Sequence, residues 1–134
     1  MTTADRLPTT AKYFRFERLE VWQLARKFAD EIYKITRKFP KDELFGIVSQ
    51  LRRAGISILL NIAEGSDRKS DIEFRRFLRI SLTSLEEVIS ALYISLDQKF
   101  IKQDEFNKLY DKGSELAAKL NALIRSLKAV DGSP

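Results

Sequence analysis

The chain has 134 residues, of which 44% are hydrophobic and 32% charged, a mix that favours one soluble globular domain over a disordered segment. It contains neither cysteine nor histidine, so disulfides, thiolate nucleophiles, zinc–cysteine sites and imidazole bases are excluded together. The net charge of +5 and a pI near 9.5 lean towards anionic partners, although a basic but otherwise ordinary soluble protein would read the same way.

Residues 1–15 are polar, carry one proline and read as a flexible tail with no secretory leader. No run approaches ~18 apolar residues, so neither a membrane span nor a membrane partner is expected, and the chain reads as cytoplasmic. The first helical pattern covers about Phe16 to Phe39. Leu24, Phe28, Ile32 and Ile35 recur at helical spacing, with Val21, Ala25 and Phe39 on the same side. Trp22 and Tyr33 fall at the edge of that arc. Pro40 closes the segment, because the residue before a proline is disfavoured in a helix.

A second helix is expected from about Lys41 to Glu64, with Gly65 as the residue just past its end. At 100° per residue, Gln50, Arg53, Ser57, Asn61 and Glu64 fall on one polar stripe. Leu44, Ile47, Val48, Leu51, Ile58 and Ile62 define a core face, and Phe45, Ile56, Leu59, Leu60 and Ala63 extend it. The apolar arc reaches ~240°, against a little over ~100° for an ordinary surface helix. The helix is therefore either the most enclosed of the set, or it buries a second face against another subunit. Arg52 projects onto that apolar surface. It must reach water or meet a carboxylate, for which Glu86 or a neighbouring subunit's acid is the expected partner.

"SDIE" at Ser70–Glu73 fits a reciprocal capping box and opens a third helix that runs to about Gln98. Its core stripe is Phe74, Phe77, Leu78, Leu85, Val88, Leu92 and Leu96. A fourth helix covers about Gln103 to Ala129, with Phe106, Leu109, Leu116, Leu120, Leu123, Ile124 and Leu127 on one face. It begins without a good capping side chain. Residues 130–134 read as a frayed end. Strand-like alternation is absent. Long helices with short connections give an all-α, antiparallel up-down-up-down four-helix bundle over residues 16–129.

From Arg52 to Arg79, seven basic residues (Arg52, Arg53, Arg68, Lys69, Arg75, Arg76, Arg79) face four acidic ones (Glu64, Asp67, Asp71, Glu73). This is either a phosphate-binding patch or a solvated, salt-bridged flank. Aromatics show no base-stacking interleave with the basic residues, so backbone contacts rather than sequence readout are expected. An enzyme is not expected. The chain has no phosphate-binding loop, nucleophile elbow or dinucleotide fingerprint, and Glu86 and Glu87 point in different directions. A di-iron bundle would need histidines. Neither a metal nor a cofactor is expected.

"FERLEVWQLA", the run from "FPKDELFGIVSQLRRAGISILLNIAEG" through "SDRKSDIEFRRFLRISLTSLEEV", and "LDQKFI" resemble the four-helix-bundle proteins encoded in intervening sequences of bacterial 23S rRNA genes, the S23 family. The resemblance covers about Phe16 to Lys128. It implies a ring-like homopentamer and a relation to the accessory variability proteins of diversity-generating retroelements, basic pentamers that bind a reverse transcriptase and nucleic acid. Leu59 and Leu60 stand where the family usually has a proline and a small polar residue, which implies a straighter, greasier second helix. Lys102 replaces the serine that usually caps the fourth helix, so fraying is expected there.

The combined expectation is a non-enzymatic homo-oligomeric scaffold, pentameric by resemblance, that binds RNA or DNA, with a reverse transcriptase as a further partner that the resemblance implies. The alternative is a protein-interaction module without nucleic-acid binding. The phosphate-contact candidates are Arg53, Arg68, Lys69, Arg75, Arg76 and Arg79. Arg52, Asn61, Glu64, Gly65, Ile56, Leu59 and Leu60 are assigned to structure and assembly.

Overall fold

The computed structural model describes residues 13–129, and the expected tail and frayed end lie outside that range apart from the last tail residues. Among the described residues there is no strand. A 3₁₀ turn at Arg15–Arg18 leads into α1 (Glu20–Thr36), followed by α2 (Ser49–Ser66), α3 (Asp71–Asp97) and α4 (Gln103–Ser126).

Helix α1 buries Val21, Ala25, Phe28, Ala29 and Ile32, the stripe that a period of 3.6 places inward. Beyond its end Phe39 is buried and packs on Phe100, with ring centroids 5.3 Å apart. The expected continuous second helix is broken. Lys41–Glu43 form a 3₁₀ turn, Leu44–Val48 form a wide π-helical turn, and regular helix starts only at Ser49. The break centres on Gly46, whose backbone leaves helical values (φ −109°, ψ −113°). Glycine is the weakest ordinary helix former, and kinks concentrate at such positions. At the other end α2 runs through Gly65 to Ser66, so Gly65 is a helical residue and not the residue past the end.

Helix α3 starts at Ser70, whose hydroxyl accepts the Glu73 N–H at 3.2 Å. The reciprocal half of the expected capping box is replaced, because the Glu73 carboxylate accepts from Arg76 instead (2.8 Å). The start of α4 is also better held than its sequence implies. The Glu105 carboxylate accepts the Lys102 N–H at 2.9 Å and also binds the Lys38 ammonium, which ties this helix end to the segment after α1.

Contacts between helices set the topology. Arg52 meets Thr36 and Gly55 faces Ile32, so α2 runs against α1. Ser57 meets Ser84 and Ser81 meets Ile58, so α3 runs against α2. Arg75 reaches Ile124 and Tyr93 packs on Phe106, so α4 runs against α3. Lys119 pairs with Glu20 and Lys112 with Glu31, closing α4 back onto α1. The result is an up-down-up-down four-helix bundle around Ile32, Leu51, Ile58, Ile62, Leu78, Leu92, Leu116 and Leu120, all fully enclosed. Each large side chain buried in this way contributes ~1.5–3 kcal/mol against the entropy of ordering the chain.

Candidate nucleic-acid interface

Arg52 does not meet Glu86. Its Nε donates to Thr36 Oγ1 at 2.9 Å and its guanidinium lies over the Tyr33 ring, 4.6 Å from the centroid. Thr36 is buried and donates its own hydroxyl proton to the Ile32 carbonyl, 2.7 Å away, so it accepts from Arg52 without leaving a donor unmet. A neutral hydroxyl and an aromatic face thus satisfy an arginine for which water or a carboxylate was expected. Glu86 is exposed on α3 beside the groove towards α4.

The polar stripe of α2 turns partly inward. Asn61 Nδ2 donates to the Ser57 carbonyl (2.9 Å) and to its hydroxyl (3.1 Å), and the Ser57 and Ser84 hydroxyls are 2.8 Å apart. Asn61 is therefore part of the α2–α3 seam. Glu64 stays at the surface and pairs with Arg68. Gly65 is buried under α3, and a Cβ there would lie 2.7 Å from the Phe77 Cβ and 2.9 Å from Phe74.

The wide apolar arc expected of the second helix divides into a half-buried part and an exposed part. Leu59 and Ala63 are half-buried, Leu59 packing against the core and Ala63 lining a cleft with the N-terminal turn, and Ile56 is also half-buried. Enclosure within the protomer therefore accounts for part of the surplus. Leu60 and Phe45 remain 57% and 94% exposed.

The basic candidates separate as well. Arg68 and Arg76 converge on one ring, each guanidinium 5.0 Å from the Phe77 centroid, and exposed Lys69 sits in the turn between α2 and α3. Arg68 pairs with Glu64 and Arg76 with Glu73. The hydrogen bond from Arg76 holds the Glu73 carboxyl below its ordinary range, and the same contact raises the already high Arg76. Exposed pairs of this kind are weak, so a phosphate can compete for either guanidinium.

Arg75 is committed elsewhere. It donates to the carbonyls of Ile124 and of Leu127 (3.2 Å for the latter), capping α4 from the side. Arg79 is exposed at one end of the groove between α3 and α4. Arg53 is exposed on α2, twelve residues before Gly65, which puts it ~18 Å along the helix from the turn.

One group escaped the sequence reading. Tyr13, Phe14 and Phe16 alternate with Arg15 and stack in succession towards Trp22. The signal was present in "YFRFER", but it lay across the border assigned to the tail. Among the described residues no group of three or more metal-ligating side chains converges, and no helix is long and apolar enough to cross a membrane.

Comparison with known proteins places this arrangement. Residues 17–122 match the model of a family described as 23S rRNA-intervening sequence protein. No curated protein matches the chain. Among solved structures, a protein of unknown function from the S23 ribosomal protein family of Bacteroides thetaiotaomicron superposes with a TM-score of 0.71 at 24% identity, covering 78% of this chain and 98% of that one. That likeness shows the shared fold.

Proposed function

The chain belongs to the 23S rRNA-intervening sequence protein family, and from that premise we propose a non-enzymatic, cytoplasmic scaffold that assembles as a homo-oligomer and binds RNA or DNA through its basic surface. The observation that carries the reading is the turn between α2 and α3. There Arg68 and Arg76 meet over Phe77, exposed Lys69 lies in the same turn, and the two arginines are neutralised by exchangeable surface pairs. Arg79 and Arg53 extend positive charge along α3 and α2. Nothing at this turn is built to read base edges in a duplex, so the contacts are to phosphate and only weakly selective.

Self-association is supported by Phe45 and Leu60, large apolar side chains that the protomer leaves mostly uncovered on α2 and the turn before it. The pentameric ring and the accessory role beside a reverse transcriptase are parts of the proposal that come from the family resemblance. Light scattering at micromolar concentration is expected to return several times the protomer mass, and a protomer mass would remove the assembly half of the reading.

The nucleic-acid half is tested by a salt series. Neutralising two or three phosphates gives a log–log slope of about −2 to −3 for a duplex. Lys69→Ala combined with Arg76→Ala is expected to flatten that slope by roughly two. Absence of binding at low salt would favour the alternative, a protein-interaction module. The groove between α3 and α4 favours that second reading. It holds about 640 Å³, is lined by Leu82, Ile89, Tyr93 and Tyr110, and has the tyrosine-rich, charge-poor character of protein interfaces.

A further inference from the structure

The N-terminal turn displays an aromatic ladder for which the bundle itself has little use. The Tyr13 and Phe14 rings meet edge to face at 5.0 Å, Phe14 stacks nearly parallel on Phe16 (5.8 Å, 13° between planes), and Phe16 packs on Trp22 at 4.7 Å. Phe16 and Trp22 are half-buried, and Trp22 packs against the bundle core. Tyr13 and Phe14 are 87% and 56% exposed, so most of the ~1.5–3 kcal/mol available from burying each ring is not realised in the protomer.

The turn that carries Phe14 and Phe16 is closed by hydrogen bonds. The Phe14 N–H donates to Glu17 Oε1 at 2.8 Å, the Glu17 N–H to the Phe14 carbonyl at 3.1 Å, and Gln23 Nε2 to the Glu17 carbonyl at 3.1 Å. Ordering these rings before a ligand arrives lowers the entropy cost of using them.

Charge surrounds the rings. Arg15 lies between Phe14 and Phe16 in sequence, and the Arg26 guanidinium sits over Trp22, 5.9 Å from its centroid. Phe14, Arg15 and Phe16 form one wall of a cleft of about 420 Å³, whose other wall is Leu60 and Ala63 of α2, with Ser66 and Asp67 at the end of that helix. The next two residues of the chain are Arg68 and Lys69, so the aromatic platform borders the basic turn. Among the described residues on this side, the Glu17 carboxylate is taken up by the Phe14 N–H and that of Glu64 by Arg68, which leaves Asp67.

Exposed aromatic rings, one of them on a hydrogen-bonded turn, beside a basic turn suit one ligand chemistry, an unpaired nucleobase whose backbone runs over the adjoining cations. A duplex keeps its bases stacked on one another and offers the rings nothing. We propose that Tyr13 and Phe14 form a base-stacking platform that makes the protein select single-stranded over double-stranded nucleic acid. The proposal rests on the nucleic-acid reading above and deepens it from phosphate contact to strand selection.

The test compares a short single-stranded oligoadenylate RNA with an RNA duplex of the same length, both at low salt, on the full chain. Wild type is expected to bind the single strand more tightly. Tyr13→Ala combined with Phe14→Ala is expected to weaken single-strand binding by roughly 10- to 100-fold and to leave duplex binding within about twofold. The chain has one tryptophan, Trp22, so unchanged emission in the double variant reports that Phe16 still packs on it. Tyr13→Phe with Phe14→Tyr keeps two aromatic faces and is expected to keep the preference. Equal loss on both ligands, no loss on either, or loss in the aromatic-conserving pair would overturn the platform while leaving the phosphate reading intact. A wild type that binds neither ligand would overturn both.

Discussion

The two hairpins that share α3 are built differently. The α2–α3 hairpin is sealed along its length by small side chains. Gly65 lies under Phe74 and Phe77, the Ser57 and Ser84 hydroxyls meet at 2.8 Å, and Ser81 donates to the Ile58 carbonyl at 2.8 Å. The α3–α4 hairpin leaves a groove of about 640 Å³ on its outer side and is fastened mainly at its ends. At one end Arg75 holds the last carbonyls of α4, and Asp71 accepts the Lys128 N–H at 2.9 Å. At the other, Lys99 turns the chain and Glu105 holds the first turn of α4. A seam closed along its length transmits any change in volume to both backbones, whereas a seam held at its ends can give in the middle.

The glycines of the two seams make that difference measurable. A Cβ on Gly65 would meet the Phe77 Cβ at 2.7 Å, an atom fixed by the α3 backbone. A Cβ on Gly113 would meet the tip of Ile89, its Cδ1, at 2.9 Å, and that tip can rotate away. Alanine is favoured over glycine by about 1 kcal/mol in a helix interior, as at Gly113, and by less at Gly65, one residue from the end of α2. Gly65→Ala is therefore expected to cost about 2–3 kcal/mol net, because the helices must part to relieve the overlap. Gly113→Ala is expected to fall within about 1 kcal/mol of wild type. Urea denaturation of both variants checks the contrast, and equal losses would mean that the two seams are equally rigid.

Breaking an end of the open hairpin comes next in size. Arg75→Ala removes the donors to the Ile124 and Leu127 carbonyls and is expected to cost about 1–2 kcal/mol, in keeping with hydrogen bonds from a charged group. Hydrogen exchange should rise first in the last turn of α4. If Arg75 acted only as a surface charge, stability would stay within about 0.5 kcal/mol of wild type. At the other end Lys99 sits at φ 65°, in the left-handed region that glycine occupies without a Cβ penalty. Lys99→Gly is expected to stabilise by about 0.5–1 kcal/mol, read as a higher urea midpoint with an unchanged slope.

The difference between the hairpins also decides what could be read from sequence. The helical periods of α1, α3 and α4 were plain, because Phe28, Ile32, Leu78, Leu92, Leu116 and Leu120 recur at core spacing and all are buried. The break at Gly46 falls inside an apolar run that reads as one continuous helix, and hydrophobic period does not mark where a glycine leaves helical values. The partner of Arg52 depended on which face α1 turns to α2, and no pattern within α2 records that. Arg75 looked like an ordinary member of a basic run. Its partners are main-chain carbonyls, which every residue has, so only the folded arrangement of α3 and α4 distinguishes it from Arg76. The aromatic ladder was written in the sequence, but averaging over a polar tail concealed its alternation.

The smallest expected effect is at Glu105, and its pH dependence identifies it. The hydrogen bond from Lys38 holds this carboxyl below its ordinary range, and the Lys102 N–H adds to the shift. A carboxyl depressed in the folded state binds its proton more weakly there than in the unfolded chain, whose value is about 4.3. Its contribution is therefore fully present above that pH and is lost as pH falls through the lower folded value. Glu105→Gln removes the charge at every pH. The gap between wild type and variant, at most about 1 kcal/mol for a surface pair, is expected to be constant from neutral pH down to about 5 and to close below about 4. Urea midpoints measured against pH would reveal this closure. A gap that persisted into acid would mean that Glu105 fastens α4 by its shape and its bond to Lys102 rather than by its charge.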